Sequence, residues 1–196
     1  MNVKILNIEP YDKECEIDKI KFLPPEQPPV SVVIPYKCGN EFNDIYVCEN
    51  DEVIVVTGGY SIGHARIAGA LHSENDWLVH MDSDAVYPND YMILVKRYIR
   101  EFGEEYKIMC ARRKGGFGNL IFRNHEHGMV VRKDVFLDRS VKYLNKLSSE
   151  RSDVGRFFRD AKIIPVDYYH GFTKGEKTAV FAVGVVSACA VVMKFK

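Results

Sequence analysis

The sequence predicts an α/β fold, a single domain whose central sheet is mostly parallel and flanked by helices. Three observations carry that expectation. Mostly apolar runs at 30–34, 52–56 and 77–80, the first two rich in β-branched residues, alternate with stretches of helical or loop character, the order from which parallel sheets are built. The runs are continuously apolar rather than alternating, as in strands covered on both faces. Each run also ends in residues of another kind: Pro35-Tyr36-Lys37, Thr57-Gly58-Gly59 and Asp82-Ser83-Asp84. Open α/β sheets bind ligands at the carboxyl ends of their strands, so one shared cleft is implied.

The elements follow in order. Residues 1–29 form an arm in which Val3-Lys4-Ile5-Leu6 reads as an edge strand, and Pro24-Pro25-Glu26-Gln27-Pro28-Pro29 as a stiff, extended connector. The first core strand, 30–34, is expected to stop at Pro35, and a polar stretch then runs to Asp51. After the second core strand, Ser61 is placed to cap a helix through Ala65, Ala68 and Leu71. The third strand ends in the two aspartates. A helix is expected from Asn89 to about Phe102, with Tyr91, Leu94, Val95, Tyr98 and Ile99 on one face. Strands at 107–111 and 128–132 flank a basic, glycine-bearing loop, 112–119. A helix follows from Lys133, another begins near Asp153, and 163–170 is the last strand.

At 196 residues the chain is long enough for one full core. Lys+Arg and Asp+Glu are both 27, which argues against a general nucleic-acid binder. Five scattered cysteines without a CxxC pair indicate a reducing compartment and no zinc site. No signal peptide is read in Met1-Asn2-Val3-Lys4, so a cytoplasmic protein is expected. Within the apolar C-terminal segment 174–196, residues 178–193 make 16 uncharged positions in a row. A spanning helix wants ~20, so a buried terminal helix or strand pair is expected, with membrane or oligomer contact as the alternative.

Asp82 and Asp84 hold the chemistry. In extended backbone, side chains two apart share a side, so both carboxylates can converge on one ligand, and a divalent cation carrying a phosphate relieves their repulsion. The plainer alternative is a turn in which Asp82 caps the helix near Pro88-Asn89-Asp90. His125-Glu126-His127 is a poor metal pattern, since it lacks the helical HExxH spacing.

Four landmarks in order resemble a GT-A-fold glycosyltransferase of the large family 2 type. Ser31-Val32-Val33-Ile34-Pro35 resembles its opening strand, Ala65-Arg66-Ile67-Ala68-Gly69 its "ARNxG", and 78–84 its hydrophobic strand with DxD. Ser152-Asp153, Arg159 and His170 resemble its "ED…R…H". The small size also resembles glycosyltransferases of archaeal viruses. The resemblance implies a nucleotide-sugar donor, a sugar, protein or lipid-linked acceptor, and a divalent cation, Mn2+ or Mg2+. It implies Asp84 as a direct metal ligand, Asp82 toward the ribose or a nearby Arg as well as the metal, and His170 as a further ligand. Asp153 would be the general base of an inverting displacement, its alternative being a plain helix cap. Arg66 would support the nucleotide end of the donor, or else be a solvated helix charge. Pro35 and Tyr36 would hold the nucleobase, with Tyr36 stacking on it or simply packing in the core, and Ser83 would contact substrate between the aspartates.

The chain departs from the family pattern where "VDDGS" becomes Val56-Thr57-Gly58-Gly59-Tyr60, where Ser152 replaces an acid and Ile67 an Asn. The "QxxRW" of processive synthases is not seen. The rival enzyme readings are a haloacid-dehalogenase-like phosphatase with Asp82 as nucleophile and a nucleotidyltransferase. The non-enzymatic rival is a nucleotide-binding relic of the fold.

Overall fold

The structure, a computed structural model, describes residues 2–7, 19–37, 39–58, 61–114, 128–142, 158 and 160–170. Nine strands and three helices are formed there: β1 (Asn2–Asn7), β2 (Ile20–Leu23), β3 (Ser31–Tyr36), β4 (Ile45–Cys48), β5 (Glu52–Thr57), α1 (Ile62–His72), β6 (Trp77–His80), α2 (Tyr91–Phe102), β7 (Ile108–Lys114), β8 (Met129–Arg132), α3 (Lys133–Val141) and β9 (Lys162–Tyr169).

A seven-stranded sheet of order β1-β5-β3-β6-β8-β7-β9 forms the centre, and β2 and β4 make a separate parallel pair. β1, β5, β3 and β6 run in one direction, β8 runs against both of its neighbours, and β7 and β9 return to the first direction. The mostly parallel expectation therefore holds with one reversed strand. The carboxyl ends of β3, β5, β6, β7 and β9 all reach the same edge.

Inside, β3, β5 and β6 are wholly or nearly wholly buried. Val32, Val55, Val79 and Ile164 face α2 and the β2–β4 pair, meeting Val95, Tyr91 and Ile45. On the opposite face Leu78 and Val131 meet Ile67 of α1 and Phe136 of α3. Helix α1 lies very close to the sheet: a Cβ on Gly69 would stand 2.4 Å from Val33 Cγ1. Ser61 caps α1 as expected, accepting the His64 N–H at 3.2 Å.

Two expectations need correction. Pro35 does not end its strand: β3 runs to Tyr36, with Pro35 in register with Val56. Val33 O accepts the Met81 N–H at 3.1 Å, so Val33 and, two residues on, Pro35 turn their backbone polar groups to the β6 side. Regular β3–β6 pairing has stopped at Val33–His80, and the missing proline N–H costs no ladder bond. The polar stretch before Asp51 also contains a strand, β4, whose Ile45 and Val47 join the main core.

Among the described residues no helix is long and apolar enough to cross a membrane. The basic loop beyond Lys114, the 125–127 triplet, Asp153, Arg159 and the segment 174–196 lie outside the described residues.

Candidate active site

The site is built where β6 stops. The strand ends at His80, and the chain then turns through 81–85 with the Ala85 N–H donating to Asp82 O at 3.3 Å. Backbone in such a turn has no ladder partners, so side chains and neighbouring loops must hold it. Tyr87 does so from below: its Oη accepts the Asp82 N–H at 2.8 Å, and its ring stacks on Tyr168 of β9 at 5.4 Å. Asn43 does so from the side, its N–H donating to Ser83 O at 2.8 Å and its Nδ2 to Asp84 O at 2.8 Å.

Beyond the turn, Val86 and Tyr169 exchange backbone hydrogen bonds in both directions, Val86 N–H to Tyr169 O at 2.7 Å and Tyr169 N–H to Val86 O at 2.8 Å. The chain that leaves the aspartates is thereby joined to the end of β9. The His170 N–H donates to Lys114 O at 3.1 Å. His170 Nε2 then lies 3.1 Å from Asp84 Oδ1 and 3.6 Å from Asp82 Oδ2. Ligand atoms of Asp82, Asp84 and His170 all fall within 4.8 Å of one another, although His170 is 86 residues beyond Asp84.

The two carboxylates differ. Asp82 is buried, and its Oδ1 accepts from Arg66 Nη2 at 2.7 Å, with the Arg66 side chain fully enclosed. Asp84 keeps 54% of its side chain exposed. The hydrogen bond from His170 holds the Asp84 carboxyl below the usual carboxylate range, against partial desolvation that pushes it up. Beneath Asp82, His80 is wholly buried with its ring 4.6 Å from Phe136. Burial, with Arg66 acting in the same direction, pushes its pKa far down.

The sequence-predicted residues therefore separate into groups. Asp82, Asp84, His170 and Arg66 come together. Arg66 is not a solvated helix charge, and Asp82 does not cap α2, whose N-cap is Asp90. Pro35 and Tyr36 lie on the same sheet edge, but Tyr36 is 7% exposed with its ring edge-on to Phe42 at 5.0 Å. Ser83 is buried and meets Asn43 through its carbonyl. Asp153 lies outside the described residues. Asn43 and Tyr87 were missed by sequence reasoning. Burial of Asp82 behind Arg66 also weighs against the phosphatase alternative, which needs that carboxylate to attack.

No protein-family profile matches the chain, and neither does any curated protein. Solved structures do. S. aureus TarS matches with TM-score 0.52 at 11% identity, over 74% of this chain and 37% of that one. TarS 1–349 in complex with UDP matches with TM-score 0.50 at 12% identity, over 74% of this chain and 61% of that one. The fold is that of the GT-A glycosyltransferases. Glucosyl-3-phosphoglycerate synthase from Mycobacterium tuberculosis, in complex with Mg2+ and UDP, matches 81% of both chains at 10% identity, but its TM-score of 0.45 is too low to add to that assignment. The chain spans about three fifths of the length of TarS 1–349.

Proposed function

We propose that this chain transfers a sugar from a nucleotide-sugar donor to a hydroxyl acceptor, with a divalent cation at Asp82, Asp84 and His170. The observation that carries the reading is the convergence of those three side chains at the carboxyl edge of a GT-A sheet. Two carboxylates and an imidazole suit Mn2+ well and Mg2+ acceptably, since hard cations favour oxygen and imidazole suits transition metals. When bound, the cation would neutralise the diphosphate that leaves as the glycosidic bond breaks.

The chain's own groups divide the remaining work. Asp84, half exposed and with its carboxyl held below the usual range by His170, offers its carboxylate to solvent. Asp82, tethered by Arg66, has a fixed orientation that suits it to the ribose or the cation. His170 presents Nε2 to both acids, which brings its ring into the same ligand set. Asp153 is proposed as the general base that takes the acceptor hydroxyl proton as the new bond forms, a direct displacement that inverts the anomeric centre. The TarS complex with UDP makes uridine donors the first to try. The acceptor class, whether sugar, protein or lipid-linked, follows from the resemblance alone.

The test is a panel of nucleotide sugars incubated with the full chain in Mn2+ and in EDTA. Nucleoside diphosphate release that requires both an acceptor and Mn2+ is expected. Phosphate release from simple phosphomonoesters, with no sugar transfer, would overturn the reading in favour of the phosphatase.

A further inference from the structure

The turn that carries Asp84 is held by a residue outside the ligand set. Asn43, in the segment between β3 and β4, reaches three successive carbonyls. Its backbone N–H donates to Ser83 O at 2.8 Å, and its Nδ2 donates to Asp84 O at 2.8 Å and to Ala85 O at 3.3 Å. One amide nitrogen carries two hydrogens, enough for both side-chain bonds at once. Asn43 is itself anchored, because the adjoining Phe42 is 4% exposed and packs edge-on against Tyr36.

From this geometry we infer that Asn43 is a positioning residue on which the cation affinity of the site depends. The inference rests on the cation reading above. Asp84 lies between two fastenings: Asn43 on its own carbonyl, and the Val86–Tyr169 bridge, which fixes His170. The 3.1 Å approach of His170 Nε2 to Asp84 Oδ1 depends on both. Loss of Asn43 frees one fastening while leaving every ligand in place. Cations tolerate only a few tenths of an ångström in ligand distance, and removal of outer-shell partners typically costs 10–100-fold in affinity.

A structural asparagine would lower stability without touching the metal, so the control is a comparable residue elsewhere. Asn50 Nδ2 donates to Glu26 O at 2.8 Å in the segment that enters the amino end of β5, whereas the aspartates follow the carboxyl end of β6. The experiment follows the free Mn2+ signal by electron paramagnetic resonance as the full-length chain is titrated with Mn2+ alone, beside a thermal melt. Asn43→Ala is expected to bind Mn2+ about tenfold more weakly than the unmutated chain, and Asn50→Ala to bind it equally while melting lower. Asn43→Ser, which keeps one hydroxyl donor, is expected to fall between, and it serves as the readout if Asn43→Ala does not fold. Unchanged Mn2+ affinity in the Asn43 variants while Asp84→Asn loses it would overturn the inference and leave the cation reading standing. Equal loss in Asn50→Ala would also overturn it. No Mn2+ uptake by the unmutated chain would overturn the cation reading and the inference together.

Discussion

The two ends of the central sheet handle charge in opposite ways. Near the amino ends of β3, β5 and β6 the acids sit in closed networks. Lys4 Nζ lies 2.6 Å from Glu52 Oε1, while Ser31 Oγ and the Glu74 N–H donate to Glu52 Oε2 at 2.5 and 2.8 Å. Lys96 Nζ lies 2.6 Å from Asp51 Oδ1 with both side chains fully buried, and the Val30 and Cys48 N–H groups complete the carboxylate. Burial pushes the Asp51 carboxyl up, opposed by Lys96 and those two amides. At the carboxyl ends, two acids converge on one imidazole and Asp84 stays half open to solvent. Closed networks serve the fold, because every buried charge is met by protein groups. Of the two acids at the carboxyl ends, Asp82 is met by Arg66 while Asp84 keeps a half-open carboxylate, the side from which the proposed cation would come.

Breaking the buried ion pair at each end gives the sharpest contrast. Lys96→Met leaves Asp51 buried without its ammonium, and removing one partner of a buried pair costs about 3–5 kcal/mol. Its melting temperature should fall steeply while Mn2+ uptake by the folded protein is unchanged. Arg66→Met strips Asp82 of its guanidinium and should lower both. If Lys96→Met loses Mn2+ affinity as strongly as Arg66→Met, the division between the two ends is wrong.

A smaller effect is expected at the contact that brings α1 to the sheet. Gly69 lies one turn beyond Arg66, and a Cβ there would meet Val33 Cγ1 at 2.4 Å. Gly69→Ala must push the helix outward, and such overpacking costs about 1–3 kcal/mol. Because Arg66 rides on that helix, Mn2+ affinity should weaken a few-fold alongside the drop in melting temperature. Thermal melts and Mn2+ titration on the one variant separate the two effects. A melting loss with no change in affinity would show that the Arg66–Asp82 contact adjusts independently of the helix.

Much of the fold was legible because buried parallel strands advertise themselves as short, mostly apolar runs without alternation, and 30–34, 52–56 and 77–80 are such runs. β4 was not, since Ile45-Tyr46-Val47-Cys48 is four residues inside a polar stretch. The reversed direction of β8 leaves no mark on residues 129–132, because a strand buried between neighbours has the same composition either way. In the site, the spacing of Asp82 and Asp84 singled them out, but a turn over 81–85 rather than extended backbone brings them together, and the approach of His170 depends on the Val86–Tyr169 bridge between distant segments. Arg66 and Lys96 show a further limit. Each is a basic residue on a helix, where solvent is the usual environment, and each is instead fully buried against an acid. Lys96 at least adjoins Val95 on the face that buries Met92 and Ile99, a pattern that could have signalled a paired lysine. Asn43 gave no signal; an asparagine among Gly39, Asn40, Glu41 and Asp44 reads as loop.

The central claim is that Asp84 belongs to a cation-dependent nucleotide site, with Asp153 acting on the acceptor instead. It is tested most directly by titrating UDP, GDP and CDP into the unmutated chain, Asp84→Asn and Asp153→Asn, each in Mn2+ and in EDTA. The account predicts that the unmutated chain binds at least one of these nucleotides in Mn2+ and loses it in EDTA. Asp84→Asn should show no Mn2+-dependent binding, and Asp153→Asn should bind as the unmutated chain does. Equal nucleotide affinity of the unmutated chain in Mn2+ and in EDTA would contradict the account.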